Sequence, residues 1–184
     1  MGFDVYGLDP VKHKTIEEYP VLKKYQGMTW EERGKDFNKD KELESKYWKE
    51  YEAEQDDNPG TYFRSNVWWW RTMWMYVYFN SEDILTEEDY ENCQHNEGHE
   101  ISEGKATALA KRMFEHIESG EAKGFEDHHK KEMSEAKMNN EKIKAKTGKS
   151  YGDNWDWRED YPFEVAVLRE FAEFCSQSGG FRVC

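Results

Sequence analysis

The densest apolar run of the chain is NVWWWRTMWMYVYF, residues 66–79, and it lacks the apolar–polar alternation of a half-buried strand. Seven of its fourteen residues are aromatic, and three tryptophans are consecutive. Wound as a helix that includes the residues just before it, the segment is polar only along a seam formed by Arg64, Ser65, Arg71 and Thr72. A helix that is apolar on almost every face is buried. The pattern therefore predicts a Trp-rich central helix wrapped by the other elements.

Two later segments show the 3.6-residue apolar period of an amphipathic helix. The first runs from a Ser102 cap to Gly120, with its stripe at Ala106, Leu109, Ala110, Met113 and Ile117. The second begins near Pro162 and ends before the helix stop at Gly179–Gly180, with its stripe at Val165, Leu168, Ala172 and Cys175. Both helices are predicted to pack against the central one.

Two other segments, 29–56 and 121–146, are helix-forming but heavily charged, and their apolar stripes are weak. We predict that 121–146 is a long, exposed and poorly anchored helix. The break DDNPG at 56–60 ends the first charged region. Residues 11–57 are therefore predicted to be a charged helical insertion within a single domain that spans 1–184.

Short runs of β-forming residues lie near both termini, FDVY at 3–6 and FRVC at 181–184. Two such strands can pair with each other and close a helical body. The predicted fold class is thus mainly α, a single helical domain with a minor strand ribbon from the two termini.

The charge balance narrows the choice of partners. The net charge is −13, and nine acids but no lysine or arginine lie between Glu82 and Glu103. An acidic surface repels phosphate backbones, so direct nucleic-acid binding is disfavoured. A solvated surface, a basic partner, a bound cation and mimicry of nucleic acid remain as alternatives.

Membrane insertion and secretion are also disfavoured. The apolar run is shorter than the roughly 20 residues of a membrane span, and Arg71 interrupts it. The N-terminus lacks the basic region and apolar core of a signal peptide. Three scattered cysteines make no disulfide framework, so we expect a cytoplasmic, reducing environment.

Two groups of side chains are candidates for chemistry. Cys93, His95 and His99 are of the types that bind zinc, although a turn that caps a helix explains the same residues, and no cofactor is expected. The second group is an Arg/Trp/Asn cluster that would bind an anion or small ligand: Arg64, Asn66, Trp70, Arg71 and Trp74. Ion pairs between the two arginines and the acids of 82–89 are the structural alternative.

A further segment, DNWDWREDYPF at 153–163, mixes Trp155 and Trp157 with carboxylates. Tryptophan beside carboxylates can hold a sugar ring or a cation. Clamping a loop onto the body of the domain is the commoner use of such a segment, and both readings stay open.

Several stretches together resemble a family of uncharacterised proteins from bacteriophages and aquatic bacteria: MGFDVYGLDP, YFRSNVWWWRTMWMYV, NEGHEIS and FAEFCSQSGGFRVC. The resemblance covers about half of the chain and carries no established activity. It implies that 11–57 is often shorter in relatives. Some relatives carry Cys-x-x-Cys pairs before the last helix, whereas 136–160 has no cysteine here.

The sequence therefore predicts a non-enzymatic binding or interaction protein, which the resemblance suggests is a phage-related accessory factor. It would bind a protein partner or associate with itself. Its partner would meet the acidic 82–103 surface or an aromatic groove beside Arg64 and Arg71. The alternatives are a small ligand- or anion-binding protein or enzyme that uses the Arg/Trp/Asn cluster, and an acidic mimic of nucleic acid.

Overall fold

The computed structural model describes residues 2–152 and 154–184. Four β-strands occur in this part of the chain: β1 (Gly2–Gly7), β2 (Tyr62–Asn66), β3 (His99–Ser102) and β4 (Gly180–Val183). The α-helices are α1 (Pro20–Lys24), α2 (Trp30–Phe37), α3 (Lys41–Asp57), α4 (Val67–Phe79), α5 (Glu87–Asn92), α6 (Glu103–Ser119), α7 (Glu121–Thr147) and α8 (Val165–Gln177). Short 3₁₀ turns lie at Ile16–Glu18 and Trp157–Asp160.

The protein is mainly α, as the sequence predicts, and the two terminal strands pair. Val5 of β1 lies opposite Val183 of β4 in antiparallel register. The sheet is larger than the predicted ribbon, because β2 and β3 extend it at its two edges in the order β2-β1-β4-β3. Both added strands are short, and each pairs with only one terminal strand.

The start of the central helix differs from the prediction. Arg64 and Ser65 belong to β2, where Phe63 and Ser65 are buried and Arg64 is exposed, as expected of an edge strand with one face on the core. Helix α4 begins only at Val67. The predicted polar seam of four residues on one helix is therefore wrong, since its first two residues lie in the sheet.

The main core forms where α4 and α8 pack against the sheet and against each other. Trp70 and Trp74 have no exposed surface, and Phe171 and Phe181 pack edge-on against Trp74. Helices α6 and α8 make the most extensive contact between two elements. The Trp-rich helix therefore lies at the centre of the fold, as the sequence predicts. In the described part of the chain, no helix is both long and apolar enough to cross a bilayer.

A second, smaller hydrophobic cluster lies within the 11–57 region. Tyr25, Phe37 and Tyr47 form its centre, each almost completely buried. Their rings contact one another at centroid distances of 5.1–5.9 Å. The charged helices of this region therefore fold around a core of their own.

Helix α7 is anchored by polar contacts that the weak apolar stripe did not reveal. Asn140 is 1% exposed; its amide nitrogen donates to the Asp156 carbonyl and the Glu159 carboxylate, each at 2.9 Å, and its oxygen accepts from the Asp156 amide at 2.8 Å. His129 is also buried, and its Nε2 donates to the Tyr161 carbonyl. The prediction of a poorly anchored helix is therefore wrong, and these contacts hold the 156–161 segment on α7.

Two glycines permit close approaches near the C-terminal end of α8. A Cβ on Gly60 would lie 2.2 Å from the Gln177 carbonyl oxygen. Gly179 has a φ of +62°, and a Cβ there would lie 2.2 Å from the Asp9 carbonyl oxygen. No side chain fits at either position without movement of the backbone.

Candidate ligand-binding cleft

Three members of the predicted Arg/Trp/Asn cluster have structural roles. Trp70 and Trp74 are fully buried, and their indole N–H groups donate to the carbonyls of Cys93 at 2.7 Å and Tyr90 at 3.1 Å. The side chain of Asn66 caps α4 by accepting from the amides of its first turn, at 3.0 and 3.1 Å. These three residues therefore stabilise the structure around the candidate site.

The two arginines of the cluster are not a pair. Arg64 is exposed on β2, where its Nε lies 3.7 Å from Asp4 Oδ1 across the sheet. Arg71 lies on α4 and faces a different part of the surface. The alternative prediction is that the arginines form ion pairs with the acids of 82–89. Among the described residues, neither arginine does so.

Arg71 opens onto a surface cavity of about 370 Å³. We call this cavity the Arg71 cleft; its walls include Met75, Tyr90, Gln94, Trp157 and Tyr161. They come from α4, α5, the residues after α5, and the 156–161 segment that α7 holds in place. The lining is mostly apolar, as is typical of small-molecule sites.

The positive charge in the cleft comes from Arg71. The arginines that form ion pairs within the described chain are Arg64, Arg112, Arg158 and Arg182, and Arg71 is not among them. Arg158 also lines the cleft, but two carboxylates neutralise it: Asp156 at 2.7 Å and Glu132 at 3.3 Å. The hydrogen bond to Asp156 and the charge of that carboxylate raise the pKa of Arg158.

Two other polar side chains of the cleft, Thr72 and His129, are already engaged. The Thr72 hydroxyl donates to the Trp68 carbonyl at 3.3 Å. His129 must keep its proton on Nε2 to donate to the Tyr161 carbonyl, and its ring stacks on Phe125 at 5.6 Å. Neither side chain is positioned as a nucleophile or a general base for a molecule in the cleft.

The aromatic walls are held by rings outside the cleft. Tyr90 stacks on Tyr78 with a centroid distance of 4.4 Å and an interplanar angle of 23°. Tyr161 meets Trp68 edge-on at 4.9 Å. The walls are therefore largely preformed, which lowers the entropic cost of binding.

A second, more polar cavity of about 440 Å³ adjoins the cleft and shares Arg71 and Gln94 with it. Glu91 and His95 contribute to its lining. Glu91 lines the second cavity together with Arg71, although no ion pair joins the two residues within the described chain. This carboxylate opposes an anion bound at Arg71.

The three predicted zinc ligands do not form a metal site. Cys93 is fully buried in the core and burial raises the pKa of its thiol, whereas His95 is exposed at the second cavity. His99 binds the Asp89 carboxylate through Nε2 at 3.0 Å. Over 2–152 and 154–184, no group of three or more His, Cys, Asp or Glu side chains is placed to hold a metal ion.

His99 instead belongs to a buried polar network around Asp89, which is 4% exposed. Burial opposes ionisation of this carboxyl, but the Lys105 ammonium, the Thr86 amide and hydroxyl, and His99 outweigh burial and lower its pKa far below the ordinary value. Asp89 also closes the capping box of α5 with Thr86. The network joins α5, β3 and α6, so it fixes the helix that carries Tyr90.

Comparison of the chain with protein-family models, with curated proteins and with solved structures finds no match.

The sequence identified Arg71 and singled out Trp157, but not the other walls of the cleft. Tyr161 lies in the 153–163 segment that the sequence singled out and Gln94 lies beside Cys93, but nothing in the sequence indicates that these residues or Tyr90 lie next to Arg71. Only the packing of α5 and of the 156–161 segment against α4 brings them together.

Proposed function

We propose that this chain is a non-catalytic binding protein whose Arg71 cleft takes a small ligand with a planar apolar body and one anionic group, such as a carboxylate. The observation that carries the proposal is an arginine, without an ion-pair partner among the described residues, at the edge of a preformed aromatic cleft.

The size and chemistry of the cleft set the ligand class. A volume of about 370 Å³ lies near the lower end of ordinary ligand sites, so it suits a body of one or two rings. Tyr90, Trp157 and Tyr161 offer ring faces and edges for such a body. The Arg71 guanidinium would supply paired N–H donors to a carboxylate.

Because the side chains of Thr72 and His129 already form hydrogen bonds within the protein, the cleft favours binding over catalysis. A catalytic site of this size would need a nucleophile or base aimed at the bound molecule, and the Thr72 hydroxyl and the His129 imidazole donate to carbonyl oxygens of the protein instead.

The test uses matched pairs of probes that differ only in charge: indole-3-acetate with indole-3-acetamide, and benzoate with benzamide. Binding to the full chain is measured by isothermal titration calorimetry. We expect the wild-type protein to prefer each acid over its amide. Because charge-assisted hydrogen bonds are lost, Arg71→Gln should weaken binding of the acids by about tenfold and leave the amides nearly unchanged.

Two variants complete the design. Arg64→Gln removes an exposed arginine outside the cleft and should leave acid binding unchanged, while Glu91→Gln removes an opposing carboxylate and should tighten it. Equal affinity of acid and amide for the wild-type protein, no binding of any probe, or equal losses from Arg64→Gln and Arg71→Gln would each overturn the proposal.

A further inference from the structure

A second exposed aromatic surface lies at the C-terminal end of α4. Phe79 is 60% exposed, and its ring contacts Tyr78 at 5.3 Å and Tyr90 at 6.0 Å. We call these three rings the Phe79 patch. Tyr78 and Tyr90 stack on each other and both contact the exposed ring, so the patch is a cluster of packed rings and not an isolated side chain. Rigid exposed aromatic surface is characteristic of interaction sites.

Carboxylates surround this patch. Glu82 follows Phe79 by three residues, and Glu87 and Glu91 lie on α5 with Tyr90. Burial first, then the charges of Glu82 and Glu87, and after them Tyr90 and Glu91, raise the pKa of the Tyr78 phenol. All three are exposed, and none forms an ion pair within the described part of the chain. The aromatic face therefore has an uncompensated acidic rim.

The neighbouring cations do not neutralise the rim, because they are bound to other acids. Arg112 makes paired hydrogen bonds to the Asp83 carboxylate at 3.0 and 2.8 Å. Lys105 is held by the buried Asp89. Arg112 and Lys105 are therefore already paired. Arg71 lines the second cavity with Glu91 but forms no ion pair with it in the described chain, so the rim can attract a charge from outside.

We propose that the Phe79 patch docks an arginine-rich, extended segment of a protein partner. A guanidinium would stack on the Phe79 ring while its charge faces Glu82, Glu87 and Glu91. Arginine suits this surface better than lysine, since its planar and weakly hydrated group stacks on aromatic faces. The proposal goes beyond the Arg71 cleft, although the patch shares Tyr90 with that cleft and its rim shares Glu91 with the second cavity.

Charge complementarity decides between this partner and the alternatives. A second copy of the chain would bring an equally acidic rim against the first, which like-charge repulsion opposes. Nucleic acid is repelled for the same reason. A cationic peptide gains both the ring contact and the Coulomb attraction.

The probes are two fluorescein-labelled peptides of equal length and charge, one of alternating Arg and Gly and one of alternating Lys and Gly. Fluorescence anisotropy with the full chain at physiological ionic strength measures their affinity. We expect tighter binding of the arginine peptide. Phe79→Ala should weaken that binding by about two- to fivefold, the usual value of an exposed cation–π contact.

Matched variants separate the patch from the general negative charge of the protein. Trp30→Ala removes another exposed aromatic ring, on α2, and should have no effect. The triple variant Glu82→Gln/Glu87→Gln/Glu91→Gln should weaken binding by about tenfold. Glu31→Gln/Glu52→Gln/Glu118→Gln removes the same charge at exposed sites elsewhere and should weaken it by at most about twofold, because salt screens distant charges.

Equal effects of the two triple variants, or of Phe79→Ala and Trp30→Ala, would show attraction to the whole surface and overturn the proposal. A wild-type dimer in sedimentation that Phe79→Ala converts to a monomer would assign the patch to a second copy and overturn it as well. All substituted residues are exposed, and unchanged melting temperatures would confirm that each variant is folded.

Discussion

Trp70 and Trp74 lie one turn apart on α4 and stack nearly parallel, with a centroid distance of 5.6 Å and an interplanar angle of 6°. Each indole N–H donates to a carbonyl of the segment that includes α5, so the pair supplies both apolar burial and satisfied polar contacts. The two tryptophans thus hold the α5 segment, and with it Tyr90, beside Arg71.

Trp70→Phe is expected to lower the free energy of unfolding by about 2–4 kcal/mol, because it leaves a cavity and an unsatisfied Cys93 carbonyl. Trp68→Phe, at a position that is 38% exposed, should cost less than about 1 kcal/mol. Urea unfolding followed by circular dichroism measures both values. Equal losses of unfolding free energy in the two variants would contradict this structural role of Trp70.

Asn140→Ala should destabilise the protein by about 1–3 kcal/mol, since it removes three hydrogen bonds of a buried amide. The neighbouring Asn139→Ala changes an exposed residue of the same helix and should have little effect. Hydrogen exchange adds a local measurement: the Asp156 amide loses its acceptor and should exchange faster in Asn140→Ala alone. Unchanged exchange there would rule out anchoring of the 156–161 segment by Asn140.

The Asp89 network predicts a defined pH dependence. The folded pKa of Asp89 is lowered, mainly by Lys105 against the opposing effect of burial, so its ionised form stabilises the folded state. That contribution is complete above the unfolded pKa of about 3.9 and is lost as the pH falls from there through the lower folded pKa.

We therefore expect the gap in unfolding free energy between wild-type protein and Asp89→Asn to be constant near neutral pH and to shrink below about pH 4. Chemical denaturation over a series of pH values measures it. Glu88→Gln, one residue earlier and exposed, should show almost no gap at any pH. A gap for Asp89→Asn that widens in acid would have the wrong sign and would refute this assignment.

Two glycine substitutions should have opposite effects. Gly60→Ala places a methyl group against the Gln177 carbonyl and should destabilise the protein by about 1–3 kcal/mol. Gly124→Ala lies in α7 with no atom within 4 Å of the new Cβ and should stabilise it by about 0.5–1 kcal/mol, because alanine favours a helix. Melting temperatures that move in the same direction would contradict the close approach at Gly60.

The sequence predicted the elements whose pattern is local and long. The Trp-rich helix and the stripes of α6 and α8 each repeat over several turns, and their positions are confirmed, although α8 begins at Val165, three residues later than expected. Strands β2 and β3 were missed because they span only five and four residues and exist through pairing with β1 and β4. A short strand that forms only by pairing with distant segments has almost no recognisable pattern in its own sequence.

The same reason limits what could be predicted about the cleft. Arg71 stands out because it interrupts an apolar run, and that anomaly is local. Tyr90 and Tyr161 are ordinary aromatic residues in polar segments, and their role depends on packing between distant parts of the chain. Asn140, which positions one wall, looks like any surface asparagine of a charged helix until its burial is known.

The register of the sheet has a consequence for how the protein forms. Strand β4 lies between β1 and β3, so two of the three strand pairings require residues 180–183. During synthesis, the helices can form as they emerge, but the sheet cannot close over Trp70 and Phe171 until this last strand arrives. Aromatic surface of the nascent chain therefore stays uncovered until residues 180–183 have emerged, which favours contact with chaperones that bind apolar segments.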